Sequence, residues 1–117
     1  MHELSVAREI VTIVREHTRR LNPGHVTKVN VRLGMSAGVV AGSLQLAFQA
    51  LTADDTLRQA VLAIDEVPFR VRCHACATES ENPDGLRICG ACGKTNVEIL
   101  SGTELEVSTI EMEEDDP

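Results

Sequence analysis

Residues 73–92 read CHACATESENPDGLRICGAC and contain all four cysteines of the chain. Cys73 and Cys76 form one C-x2-C pair, Cys89 and Cys92 a second, with twelve residues between the pairs. Two cysteines three apart can turn both sulfurs inward on one tight knuckle, and two knuckles complete a tetrahedron around a metal ion. Gly90 and Gly93 ease the second knuckle, and Asn82-Pro83-Asp84-Gly85 is turn chemistry that can reverse the chain between the halves. Tetrahedral S4 coordination suits Zn²⁺ and also iron, but the scarcity of aromatic residues around the cysteines argues against a rubredoxin-like iron centre. Disulfides or redox-active dithiols would need an oxidising compartment or a thioredoxin-like context, and the sequence shows neither. Four thiolates fill the coordination sphere, so the expected role is structural. His74, inside the first knuckle, reads as solvent-facing. Arg70, Arg72, Arg87 and Lys94 could offset the negative charge of a Zn(Cys)4 centre, or simply be solvated.

Working outward, Phe69 and Val71 alternate with Arg70 and Arg72 as a strand entering the module, and Pro68 separates it from an apolar strand over 60–67. Beyond the module, Leu105 and Val107 alternate with Glu104, Glu106 and Ser108. The phase then slips near Thr109, so that Ile110 and Met112 become the apolar pair and a bulge or strand end is expected. Upstream, Val29, Val31 and Leu33 alternate with Lys28, Asn30 and Arg32 in a strand over 26–33. Ala7, Ile10, Val11, Val14 and Leu21 keep helical period from Ser5, a candidate N-cap, to Arg20, and Asn22-Pro23-Gly24 ends that helix. A second helix over 43–53 places Leu44, Ala47, Phe48 and Leu51 opposite Gln45, Gln49 and Thr52. The loop Gly34–Gly42 reads as glycine turn geometry and matches neither a dinucleotide fingerprint nor a P-loop.

The predicted fold class is α+β: a small mixed sheet with two helices, plus an inserted zinc-ribbon-like lobe. Residues 1–69 form the α/β body, completed by a strand over 103–112. Residues 70–102 form the cysteine lobe, and 113–117 an acidic tail.

Charge narrows the function classes. The net charge is -7, yet residues 98–117 alone hold eight acidic and no basic side chains. No segment has the cationic excess that nucleic-acid binding requires, and two Phe with no Tyr or Trp offer no base-stacking platform. Leu33 to Ala53 is uncharged and long enough to span a bilayer, but its glycines, glutamines and two-faced second half fit a helix docked on a core. MHELSVAREI lacks the basic segment and apolar run of a secretory signal, so a cytoplasmic location is expected.

At Met1-His2-Glu3, the terminal amine, nearby backbone amide nitrogens and the His2 imidazole can wrap one cation in small fused chelate rings. Nitrogen-rich planar sites of this kind suit Ni²⁺ and Cu²⁺. His17 and His25 have no paired carboxylate or cysteine in local sequence and read as residues without a metal role.

Taken together, MHELSVAREIV, C-x2-C-x12-C-x2-C and the closing GTELEVSTIEME resemble the HypA/HybF family of hydrogenase nickel-incorporation proteins over essentially the whole chain. The resemblance implies a nickel metallochaperone, not an enzyme. It implies that His2 is the essential Ni²⁺ ligand, that Glu3 with its backbone amide joins the nickel site, and that Cys73, Cys76, Cys89 and Cys92 hold a structural Zn²⁺. Residues 1–69 would then be the nickel-binding domain. The implied partners are the GTPase HypB and the [NiFe]-hydrogenase large subunit, with urease maturation proteins in some organisms; neither nucleic acid nor membrane is implied, and the chain would act as a monomer or homodimer. Many relatives carry an acidic residue in the loop after the first strand; residues 34–42 have none, so no carboxylate ligand is carried over from that loop. A zinc-ribbon interaction adaptor without metal delivery is the other function that the residues alone would fit.

Overall fold

The computed structural model describes residues 3–19, 24–54 and 56–114. In chain order these form α1 (Glu3–Thr18), β1 (Gly24–Gly34), a 3-10 turn (Met35–Ala37), α2 (Ala41–Thr52), β2 (Val61–Val67), β3 (Arg70–Cys73), β4 (Glu79–Glu81), β5 (Val97–Ser101) and β6 (Leu105–Glu114). The strands make two three-stranded sheets, ordered β2-β1-β6 and β4-β3-β5. Internal contacts divide the chain into two units, one of Met1–Val31, Val39–Asp65 and Glu106–Pro117, the other of Arg32–Gly38 and Glu66–Leu105.

In the first unit, α1 buries Val6, Ala7, Ile10, Val11 and Val14 along one stripe, the spacing that puts successive apolar residues on one helical face. It packs against α2, whose Leu44 and Phe48 are fully buried. The helix begins at Glu3, so Ser5 lies in the first turn and is not the N-cap; Glu3 places its carboxylate at the positive end of the helix dipole. Leu21, Arg20 and the stop signal at Asn22-Pro23 lie outside the described residues, while Gly24 already belongs to β1.

Val29, Val31 and Leu33 of β1 are buried as the alternation requires. Thr27 Oγ1 donates to Glu111 O (3.1 Å), and Ser108 Oγ donates to Asn30 O (3.1 Å). Advancing along β1 therefore means retreating along β6, so the two strands are antiparallel. The phase slip in β6 is real: Val107 and Ile110 are half-buried with Ser108 and Thr109 exposed between them, and the strand nonetheless continues to Glu114. Among the described residues, no helix is long and apolar enough to cross a membrane.

Two expectations for α2 need correction. Thr52 is buried rather than solvated, because its hydroxyl donates to Phe48 O at 2.9 Å and so hides its polarity within the helix. Gly42 is the second residue of α2 rather than part of the preceding turn. Gln45, on the face read as polar, is half-buried and donates to Leu62 O of β2 at 2.9 Å.

In the second unit, β3 is central and antiparallel to both neighbours, pairing Val71 with Ser80 of β4 and with Ile99 of β5. Phe69, Val71 and Cys73 point into its core, 2%, 0% and 1% exposed. The sequence reading anticipated neither β4 nor β5. Gly102 has φ +103° and runs against Phe69, where an added Cβ would lie 2.8 Å from both Phe69 Cβ and Phe69 N. An added Cβ at Gly34 would lie 2.6 Å from Glu104 N and closer still to Gly102.

Gly102→Ala therefore combines a disfavoured φ with a backbone clash and should cost at least about 2 kcal/mol. Gly42→Ala, with nothing within 4 Å of the new Cβ, should be neutral or slightly stabilising. Guanidinium unfolding midpoints of the metal-loaded variants measure both effects.

Candidate metal centre

The C-terminal residue of β3 is Cys73, and its alternation with Val71 fixes the sulfur on the buried side of the sheet. From there the chain makes two closely matched knuckles. In the first, Ala77 N donates to Cys73 O (2.8 Å), Cys73 N to Thr78 O (2.9 Å) and Ala75 N to Cys73 Sγ (3.3 Å). In the second, Gly93 N donates to Cys89 O (3.0 Å), Cys89 N to Lys94 O (2.8 Å) and Ala91 N to Cys89 Sγ (3.3 Å). Each knuckle closes four residues after its first cysteine on a left-handed residue, Ala77 at φ 62° and Gly93 at φ 74°.

The four Sγ atoms lie within 4.8 Å of one another, with Cys73–Cys92 and Cys76–Cys89 both at 3.6 Å. That is too long for an S–S bond of about 2 Å. A Zn–S bond of about 2.3 Å in a tetrahedron places sulfurs roughly 3.8 Å apart, so donor type, number and spacing all fit a structural zinc site. Cys73 and Cys89 are buried, while Cys76 and Cys92 are exposed, so one side of the cluster meets solvent.

Hydrogen bonding prepares the sulfurs unequally. The hydroxyl and amide of Thr78, together with Cys89, hold the Cys76 thiol down at about 6. The amides of Cys92 and Ala91 lower Cys89. At Cys92 the Lys94 amide pulls downward, but desolvation and the other three sulfurs outweigh it and push the thiol up to about 11. A metal-free cluster thus shares protons among its sulfurs; a divalent cation replaces them.

Arg70 and Arg72 engage Glu81 at 3.4 Å and Glu79 at 3.7 Å, their register partners on β4. Cross-strand register thus gives each of those guanidinium groups a carboxylate partner. Arg87 and Lys94 are exposed. His74 is exposed as expected, with Nε2 4.0 Å from Glu98 Oε2, and stands outside the sulfur cluster. His17 Nδ1 bonds Ile13 O at 2.9 Å, and His25 Nε2 lies 3.6 Å from Glu113; among the described residues the cysteines are the one group able to hold a metal.

Sequence reasoning missed Asn82 as more than a turn former. Its side chain is nearly buried and donates to Leu86 O at 2.6 Å and Ile88 O at 2.7 Å, fixing the loop that delivers Cys89. The signal was present in Asn82-Pro83-Asp84-Gly85, but the bond partners are main-chain carbonyls, which carry no sequence signature.

At the N-terminus, His2 lies outside the described residues, and Glu3 is the half-buried first residue of α1.

Residues 1–112 match the family described as "Hydrogenase/urease nickel incorporation, metallochaperone, hypA". The chain belongs to the HypA family. Among its relatives, the hydrogenase maturation factor HypA of Roseiflexus sp. (strain RS-1) is 38% identical, covering 100% of this chain and 96% of that protein. HypA of Chloroflexus aggregans is 38% identical over 95% of this chain and 98% of its own. The solution structure of the Ni metallochaperone HypA from Helicobacter pylori superposes with a TM-score of 0.67 at 23% identity, covering 98% of this chain and 100% of that one, which shows a shared fold. HypA proteins are hydrogenase maturation factors of a nickel-incorporation family, and the four-cysteine cluster of this chain fits a structural zinc site.

The different residues at the two left-handed positions, Ala77 and Gly93, give a test of local strain. Gly93→Ala should destabilise the lobe by about 1 kcal/mol, the cost of a left-handed conformation for a residue with a Cβ. Ala77→Gly removes that cost and should be neutral or slightly stabilising, measured by denaturant unfolding of the zinc-loaded protein.

Proposed function

We propose that this chain is a cytoplasmic nickel metallochaperone that holds Ni²⁺ at its N-terminus and delivers it to the [NiFe]-hydrogenase large subunit, working with the GTPase HypB. Membership of the nickel-incorporation family over residues 1–112 is the observation that carries the reading. The Met1 amine, the amide nitrogens of His2 and Glu3, and the His2 imidazole form the nickel donor set. Zn²⁺ is held by Cys73, Cys76, Cys89 and Cys92 and stays in place.

The start of α1 at Glu3 supports this assignment chemically. The first amides of a helix have no intrahelical carbonyl to bond, so coordination there sacrifices no helical hydrogen bond. A coordinated amide nitrogen must first lose its proton, and the positive end of the helix dipole stabilises the resulting anion. Because protons compete for amine, amide and imidazole alike, the site opens as pH falls or as acceptor ligands replace these donors one by one. Four thiolates offer no comparable exit, which separates the delivered metal from the structural one.

Native mass spectrometry of untagged, zinc-loaded protein during nickel titration tests the site. The wild-type chain should bind nickel in addition to zinc, and His2→Ala should keep zinc while losing nickel and failing to support hydrogenase maturation. Glu3→Pro deletes one amide proton at a helix position that tolerates proline, so it should lose nickel with α1 intact by circular dichroism. Glu3→Gln keeps the amide and should retain nickel. Undiminished nickel affinity and maturation in His2→Ala would sink the proposal.

The zinc assignment has its own readout. Serine at any one of Cys73, Cys76, Cys89 or Cys92 should abolish zinc retention under a competing chelator. Co²⁺-substituted wild type should show the absorption of a tetrahedral tetrathiolate centre, and a spectrum of octahedral cobalt would overturn the assignment.

A further inference from the structure

β6 lies at one end of the β2-β1-β6 sheet, so over 105–114 one row of its main-chain N–H and C=O groups has no strand beside it among the described residues. An edge of this length, with no proline or lysine in it, is a template for another strand. The opposite edge is less available, since Gln45 of α2 already bonds Leu62 O of β2. Along β6 runs a groove of about 310 Å³ lined by Ile13 and His17 of α1 and by Val107, Ser108, Thr109 and Ile110. His17 is held at its rim through Nδ1 and Ile13 O. Val107 and Ile110 are half-buried, so this side of the strand is apolar but not sealed. The other side carries Glu106, Glu111 and Glu113, all exposed though already engaged within the fold, Glu111 accepting from Asn30 at 2.8 Å and Glu113 lying 3.6 Å from His25 Nε2.

We infer that the free edge of β6 docks an extended segment of a partner protein whose side chains alternate between apolar and basic. Strand addition would satisfy the open main-chain row, as in other β-augmented complexes. Alternation follows from the pleat: every second side chain of the added strand enters the groove beside Ile13, Val107 and Ile110, and the intervening ones face the glutamates. Charge decides against a second copy of this chain as the occupant. Residues 98–117 contain no basic side chain, so two β6 strands laid together would set glutamate against glutamate, which is destabilising. The same charges favour lysine or arginine on a partner. The nickel site plays no part in this inference, and its test uses no nickel.

The probe is a blocked peptide of alternating valine and lysine, with a valine–glutamate peptide as its counterpart, titrated into ¹⁵N-labelled zinc-loaded full-length protein. The lysine peptide should perturb amides over 105–112 and slow their hydrogen exchange. It should bind at least about tenfold more tightly than the glutamate peptide, since each cross-strand charge pair contributes up to about 1 kcal/mol. Ile110→Lys, which puts a charge in the groove, should abolish binding. The double variant Glu106→Lys/Glu111→Lys should invert the preference between the peptides, a gain that misfolding cannot mimic. Equal binding of both peptides, perturbations confined to 113–117, or self-association through β6 in sedimentation equilibrium would each overturn the proposal.

Discussion

Four sulfurs within 4.8 Å of one another repel strongly once ionised, and that repulsion is relieved only by protons or by a cation among them. The second unit is organised around this requirement. Its sheet has a central strand of four residues, and few large apolar side chains, chiefly Leu33, Phe69 and Val71, are fully buried in the unit. A core this small contributes little, and a bound divalent metal supplies the missing cohesion. The paired knuckles, the Asn82 clamp on Leu86 and Ile88, and the close passage of Gly102 over Phe69 then read as devices that bring two distant sequence segments to one point. None of them would hold that point against the sulfurs' mutual repulsion.

Much of this was legible in the sequence, and the legible parts share a cause. Burial in β1 and β3 follows a period of two, in α1 a period near four, and both are visible because each element has one face in a core. Cysteine spacing is similarly explicit, since the knuckle needs its sulfurs three residues apart. The strands that escaped notice, β4 and β5, are three and five residues long and alternate weakly, with mostly half-buried or exposed side chains. Their existence depends on pairing with β3 rather than on their own pattern. Thr52 escaped for a different reason. A hydroxyl that bonds its own helix backbone behaves as an apolar residue, and composition does not reveal that partner.

The start of α1 shows how a one- or two-residue boundary shift can matter chemically. A helix capped by Ser5 would leave Glu3 in irregular chain, whereas a helix beginning at Glu3 puts the residue after His2 in the first turn. First-turn amides have no carbonyl of their own helix to bond, and the helix dipole favours an anionic form there. On the proposed reading, the helix itself would lend the nickel donors part of their acidity. The zinc lobe follows the opposite logic, burying Cys73 and Cys89 at the base of a closed donor set.

Acidity at the end of the chain likewise changes meaning once it is placed. Glu104 accepts from Gly102 N at 2.6 Å and reaches Arg32 at 3.8 Å, while Glu111 accepts from Asn30 at 2.8 Å. These carboxylates bind β6 to β1 or hold its entry turn, so they belong to the fold as much as to the surface. Because Glu106, Glu111 and Glu113 share one exposed side of a strand whose other side is apolar, part of the net charge of -7 is a pattern along β6 rather than a bulk property. A pattern of one sign on an open edge repels its own copy and attracts the opposite sign, and so a single arrangement both limits self-pairing and selects a partner.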